Sequence, residues 1–146
     1  MVSAAARGDL LEPLFWGIAT FERLHHVNIS LSTDQVANAR AFYCDLLGLR
    51  EIPKPESLRA NGGFWLELAG QEIHISIEDD VNRRKTKAHI AFQVADIAAW
   101  RFKLEAAGFA LLEGSLIPGY QRFETRDPFG NRLEIIAPIT DEQPNP

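Results

Sequence analysis

The chain has 146 residues, 46% of them hydrophobic and 24% charged, which is enough to bury one ordinary core and too apolar for disorder. Ten Gly and eight Pro are near average usage, and no run approaches the ~20 apolar residues that cross a bilayer, so collagen-like and membrane-spanning readings fall away. With 15 Lys and Arg against 20 Asp and Glu the net charge is −5, which argues against general nucleic-acid binding.

The single cysteine, Cys44, cannot form an intrachain disulfide, and no secretory leader is recognisable at the start. A soluble, cytoplasmic globule is therefore expected. Residues 1–22 form an N-terminal arm in which Leu10, Leu11, Leu14, Phe15, Trp16 and Ile18 are too apolar for a mere tail. The arm is expected to pack across a sheet edge or against a neighbouring subunit. Residues 138–146 read as a C-terminal tail.

Between the two lies a repeat. In the first unit, residues 23–80, the stretch Leu24 to Leu31 alternates apolar and polar positions as a half-buried strand does. Ser32 with Gln35 opens a helix as a capping box, Val36, Ala39, Tyr43, Leu46 and Leu47 form its apolar stripe, and Gly48 stops it. Strands are predicted at Leu49 to Ile52, Gly63 to Leu68 and Glu72 to Ile77, the last two joined by a turn at Ala69-Gly70. Residues 81–88, with the basic run Arg83-Arg84-Lys85 and Lys87, read as a solvated linker.

The second unit, residues 89–137, repeats the order. A strand from His89 to Val94 precedes a helix capped by Asp96, with Ile97, Trp100, Leu104 and Ala107 on its stripe and Gly108 at its end. Strands follow at Phe109 to Leu112, Tyr120 to Thr125 and Arg132 to Ile136, with Asp127-Pro128-Phe129-Gly130-Asn131 as the last turn. The first unit carries five Lys and Arg against nine Asp and Glu, the second half (81–137) nine against six, so the halves differ in sign. Two strand-helix-three-strand units make an α+β protein.

Strand parity sets the apolar residues Val27, Ile29, Leu31, Ile73, Ile75 and Ile77 against His26, Asn28, Ser30, Glu72, His74 and Ser76. The second unit sets Ile90, Phe92, Leu133 and Ile135 against His89, Gln93, Arg132 and Glu134. The polar faces are either wet or line a cleft, and parity alone does not choose. Residue types point further: the first and last strands of both units carry His26, His74, His89 and Glu134 at matching places. Three imidazoles and a carboxylate suit a divalent ion such as zinc, nickel, iron or manganese, the alternative being ordinary surface histidines.

The strand starts His26-Val27 and His89-Ile90, the helix Ala41-Phe42-Tyr43-Cys44-Asp45-Leu46-Leu47-Gly48-Leu49, and the segment Asp127-Pro128-Phe129-Gly130-Asn131-Arg132-Leu133-Glu134 resemble the vicinal oxygen chelate superfamily. That group includes glyoxalase I, fosfomycin-resistance proteins, bleomycin-binding proteins and type I extradiol dioxygenases. The resemblance spans about residues 23–137. It implies paired βαβββ modules forming a curved, cup-shaped mixed sheet with one ion at its floor. In many members the pairing is between subunits, so a homodimer is expected.

Carried over residue by residue, the resemblance implies metal ligands at His26, His74, His89 and Glu134. His25 then falls on the apolar side as a packing or supporting residue. The implied activity is a metal-dependent lyase or isomerase of the glyoxalase type, acting on a small substrate that chelates the ion through adjacent oxygens. Glu134 is the first candidate for proton transfer and His74 the second. One departure is His74 itself, where glyoxalase I has a carboxylate.

Two alternatives stand beside this. A dioxygenase would use His26, His89 and Glu134 on iron, although Glu124 stands where that family's motif has Tyr. A bleomycin-type protein would sequester a ligand in the same cup without catalysis. Fosfomycin-type chemistry needs cations around the cleft, and the only candidates, Arg122 and Arg132, read as ordinary strand-surface arginines.

Overall fold

The computed structural model describes residues 20–140, so most of the apolar arm and the tail beyond 140 lie outside the described residues. The first unit runs β1 (His26–Leu31), a one-turn 3₁₀ segment (Thr33–Gln35), α1 (Val36–Arg40), a π-helical segment (Ala41–Leu46), β2 (Arg50–Ile52), β3 (Phe64–Leu68) and β4 (Gln71–Ile77). The second runs β5 (His89–Gln93), α2 (Ile97–Ala106), β6 (Leu112–Glu113), β7 (Tyr120–Arg126) and β8 (Arg132–Pro138). Each forms a four-stranded mixed sheet, in the orders β1-β4-β3-β2 and β5-β8-β7-β6. The two orders are the same once the second unit is renumbered, and in each the first strand pairs in parallel with the last. This is the duplicated α+β architecture that the repeat predicts. Among the described residues no helix is long and apolar enough to cross a membrane.

Alternation along the strands becomes burial. Ile29, Leu31, Phe64, Leu66, Ile73 and Ile75 of the first sheet and Phe92, Phe123, Leu133 and Ile135 of the second are buried in one apolar cluster with Ala39, Phe42, Tyr43, Ile97 and Leu104 from the helices. At about 25 cal/mol per Å² this burial is the main force holding the sheets to their helices.

Local chemistry sets the element ends. The Gln35 carboxamide oxygen accepts the Ser32 N–H at 2.9 Å, closing the expected capping box. The Asp96 carboxylate accepts the Ala99 N–H at 2.9 Å and starts α2. Gly108, at φ +88°, ends α2 in a Schellman turn, with Phe109 N–H on the Leu104 carbonyl at 3.0 Å and Gly108 N–H on Glu105 at 2.9 Å.

Three features depart from expectation. After Arg40 the helix widens to π geometry, with Leu47 N–H reaching the Phe42 carbonyl at 2.9 Å. The wider turn buries both Phe42 and Tyr43, where 3.6-residue periodicity placed only Tyr43 in the stripe. The sixth strand forms at Leu112–Glu113, not at Phe109 to Leu112, because the Phe109 N–H is spent on the helix cap and the Ala110 carbonyl accepts the Thr125 hydroxyl at 2.9 Å. Finally, Arg83 is 6% exposed, so the connector is not wholly solvated. Its guanidinium donates to the Ser30 hydroxyl at 3.2 Å and to the Glu78 carbonyl.

The two units are joined through polar contacts at one end of the fold. The buried Tyr43 hydroxyl donates to Asp127 Oδ2 at 2.5 Å, and the Asn131 carboxamide donates to the Ser30 carbonyl at 3.0 Å. Asp127 also accepts from the Phe129 and Asn131 N–H groups and from the Asn131 side chain, at 2.8–3.0 Å. The Asp-Pro-Phe-Gly-Asn turn is thus a rigid clip holding the first unit's helix and first strand against the second sheet.

Candidate metal centre

The four expected donors fall into two pairs, one on each sheet. In the parallel ladders Asn28 faces His74 and Ala91 faces Glu134, so His74 and Glu134 occupy the same register in the two units. His26 and His89 begin β1 and β5, each diagonal to the donor of its own last strand.

On the second sheet, His89 Nε2 lies 3.0 Å from Glu134 Oε2. The other ring nitrogen, Nδ1, lies 2.9 Å from the Lys87 carbonyl oxygen. A carbonyl only accepts, so Nδ1 carries a proton, and in the neutral ring Nε2 bears the lone pair. That lone pair then faces a carboxylate oxygen, and two acceptors in contact need a proton or a cation between them. The donor types fit a divalent ion, which His89 Nε2 and Glu134 Oε2 would hold from adjacent positions. Anchoring the far imidazole nitrogen on a carbonyl is also how histidine ligands are oriented.

Glu134 itself is buried and fixed. Arg122 Nε donates to Oε1 at 2.6 Å, and this hydrogen bond is the main reason its carboxyl is held below the usual carboxylate range despite burial. Arg122 Nη2 also donates to Glu124 at 2.7 Å, and Arg132 Nε donates to Glu124 at 2.7 Å. Glu124 is likewise held low, first by Arg132. Glu124 and Glu134 stand directly opposite each other on β7 and β8, and the two arginines bind them crosswise, which removes the repulsion of facing carboxylates. Arg122 and Arg132 are therefore partners in a part-buried network, with side-chain exposures of 10% and 23%, and not ordinary strand-surface residues.

On the first sheet the rings of Trp65, His74 and His26 form a stack. Trp65, directly opposite His74, lies 3.8 Å away at 3° between planes, and His26 stacks on the other face at 4.1 Å and 17°. His74 Nε2 lies 2.8 Å from Glu72 Oε2. The Glu72 carboxyl is lowered first by this contact and is an acceptor, so Nε2 donates and Nδ1 is the nitrogen free to bind. His25 is exposed and does not pack on the apolar side; its Nδ1 meets His26 Nδ1 at 3.1 Å, the ring edge-on to His26.

His26 and His89 line a common cavity of about 270 Å³ with Glu72, Val27, Ile90 and Phe92. Among the described residues, however, no three His, Cys, Asp or Glu side chains come together closely enough to hold an ion. One chain thus brings together His26 with His74 and His89 with Glu134, without gathering a third donor around either pair among the described residues.

Sequence reasoning gave Glu72 no role, set Arg122 aside as a strand-surface cation and took Glu124 only as a departure from the dioxygenase motif. The signal was present as Glu72-Ile-His74, Arg122-Phe-Glu124 and Arg132-Leu-Glu134, each placing two polar side chains two residues apart on one strand face.

The family model for the glyoxalase/bleomycin resistance protein/dioxygenase superfamily matches residues 23–135. Among solved structures, a glyoxalase family protein from Bacillus anthracis is 36% identical, with a TM-score of 0.76 over 83% of this chain and 98% of its own. The fosfomycin resistance protein FosX from Listeria monocytogenes is 20% identical, with a TM-score of 0.67 over 84% of this chain and 98% of its own. A second FosX structure, complexed with Mn(II) and sulfate, aligns with the same TM-score and identity over 84% of this chain and 95% of its own. At that identity FosX shows a shared fold. A comparison with curated proteins finds no match.

Proposed function

Because the chain belongs to the glyoxalase/bleomycin resistance protein/dioxygenase superfamily, we propose that it is a metal-dependent enzyme of the glyoxalase type. It is a lyase or isomerase acting on a small substrate that chelates a divalent ion through adjacent oxygens. The observation that carries the reading is the His89–Glu134 pair, in which Nε2 lies 3.0 Å from a carboxylate oxygen while Nδ1 is committed to the Lys87 carbonyl. Zinc, nickel, iron and manganese all suit such a set, and FosX carries Mn(II) on the same fold.

His89, Glu134 and His26 are the proposed ligands. A bound divalent ion would polarise the substrate oxygens and stabilise negative charge developing on them. Glu134 is a ligand in this reading more than a base, because Arg122 donates to Oε1 and Oε2 is turned toward His89. Proton transfer falls to His74. Glu72 holds its proton at Nε2, the rings of Trp65 and His26 fix its plane, and Nδ1 is left to accept from substrate.

That no three donors gather among the described residues of one chain supports a homodimer in which His26 and His74 of one copy meet His89 and Glu134 of another. A mixture of two inactive double variants tests this. His26→Ala/His74→Ala combined with His89→Ala/Glu134→Ala rebuilds one intact site per mixed dimer, and recovered metal binding supports a shared site. A site within one chain stays broken in every combination.

Elemental analysis of untagged protein tests the ion. The wild type retains a divalent metal, His89→Ala and Glu134→Ala lose it, and His74→Ala keeps it while losing turnover. Formation of thioester from methylglyoxal and glutathione tests the glyoxalase reaction. Oxygen uptake on catechols after iron loading, without thioester formation, would replace it with the dioxygenase reading.

A further inference from the structure

We propose that Arg122 is a positioning residue for Glu134, and that residue 114 is glycine because Arg122 needs the space a side chain there would take. The inference rests on the metal reading above and concerns how the carboxylate ligand is aimed. All three guanidinium nitrogens of Arg122 are committed: Nε to Glu134 Oε1 at 2.6 Å, Nη2 to Glu124 at 2.7 Å and Nη1 to the Ser115 carbonyl at 3.0 Å. Glu124 is braced in turn by Arg132. One oxygen of Glu134 is therefore immobilised, and the other is turned toward His89 Nε2. A carboxylate held at one oxygen by Nε of a guanidinium whose other two nitrogens are themselves anchored loses rotational freedom that would otherwise be lost on binding an ion.

Gly114 makes the proposal testable without removing a charge. A Cβ built on Gly114 would overlap the Arg122 guanidinium. Since the atoms it meets are the far end of a flexible side chain, Gly114→Ala is accommodated by moving Arg122, not by unfolding the segment after β6. Such a shift displaces the Arg122 guanidinium from Glu134 while removing no ionisable group from the site.

The experiment titrates Mn(II) alone into the full chain and reads free Mn(II) by electron paramagnetic resonance. The wild type is compared with Gly114→Ala, Arg122→Met and the control Arg101→Met, which removes an arginine fork from Glu113, a pair that shares no hydrogen bond with Arg122, Glu124 or Glu134. Circular dichroism confirms that each variant is folded. The expected result is Mn(II) affinity about 10–100-fold weaker in Gly114→Ala and Arg122→Met, the range typical of residues that orient a metal ligand, and unchanged in Arg101→Met. Wild-type affinity in a folded Gly114→Ala or Arg122→Met protein overturns the inference alone. Absence of Mn(II) binding by the wild type overturns the metal reading and this inference with it.

Discussion

Tyr43→Phe removes one oxygen from the clip that joins the two units. The Tyr43 side chain is fully buried, and its hydroxyl donates to Asp127 Oδ2 at 2.5 Å. A hydrogen bond to a charged group contributes about 1.5–3 kcal/mol. Asp127 keeps three other donors, the Phe129 and Asn131 N–H groups and the Asn131 carboxamide, so its carboxylate is not stranded and the loss falls mid-range, about 2 kcal/mol. That is a roughly 30-fold fall in the ratio of folded to unfolded protein and a drop in Tm of about 4–8 °C.

The assay is urea unfolding followed by both fluorescence and circular dichroism, with the slope m unchanged because the same surface is exposed. The wild type should also show a pH signature. Burial, and then the Asp127 charge, push the Tyr43 phenol well above its ordinary value of 10.0. The unfolded chain therefore ionises first: stability from this residue is complete below about pH 10 and is lost as pH rises from there through the raised value. Tyr43→Phe lacks that alkaline component. A change below about 0.5 kcal/mol at pH 7 with unaltered m would refute the view that this bond locks the units together.

Acid behaviour follows from Glu134, whose carboxyl is held low first by Arg122. Its contribution is present above the ordinary value of 4.5 and is lost as pH falls through the lowered one, so Glu134→Gln flattens the acid limb of a stability-pH curve below about pH 4.5. Gly108→Ala forces a Cβ into φ +88° at the end of α2 and costs about 1–2 kcal/mol in thermal unfolding. Leu66→Ala, at a wholly buried position in the first sheet, costs about 2–5 kcal/mol by urea titration. Glu72→Ala releases the His74 ring; a shift of the protonated nitrogen from Nε2 toward Nδ1 in nitrogen NMR is expected, and an unchanged tautomer would contradict the assigned role of Glu72.

The duplicated unit was legible because it is written in local signals. Alternation in β1, β4, β5 and β8, the glycines at 48 and 108, the Asp96 cap and the Asp-Pro-Phe-Gly-Asn turn each act over a few residues. What escaped the sequence depends on tertiary contact. The π segment that buries Phe42 beside Tyr43 answers to packing against Phe109, whose ring centroid lies 5.1 Å from that of Phe42. Arg83 is drawn in by carbonyls and a hydroxyl from other elements, which composition cannot show. Arg122 and Arg132 looked like surface cations because their partners are named only by the β7–β8 register, which sets Glu124 opposite Glu134. The donors His26, His74, His89 and Glu134 were found by residue type and parity, but their grouping into two pairs is a property of how the sheets are arranged.

The most direct measurement is a crystal of the protein soaked with Mn(II) and examined by anomalous scattering at the manganese edge. The account predicts a peak within coordination distance of both His89 Nε2 and Glu134 Oε2, with Arg122 Nε still on Oε1. Full metal occupancy elsewhere on the molecule, with His89 and Glu134 joined only by a proton, would contradict it.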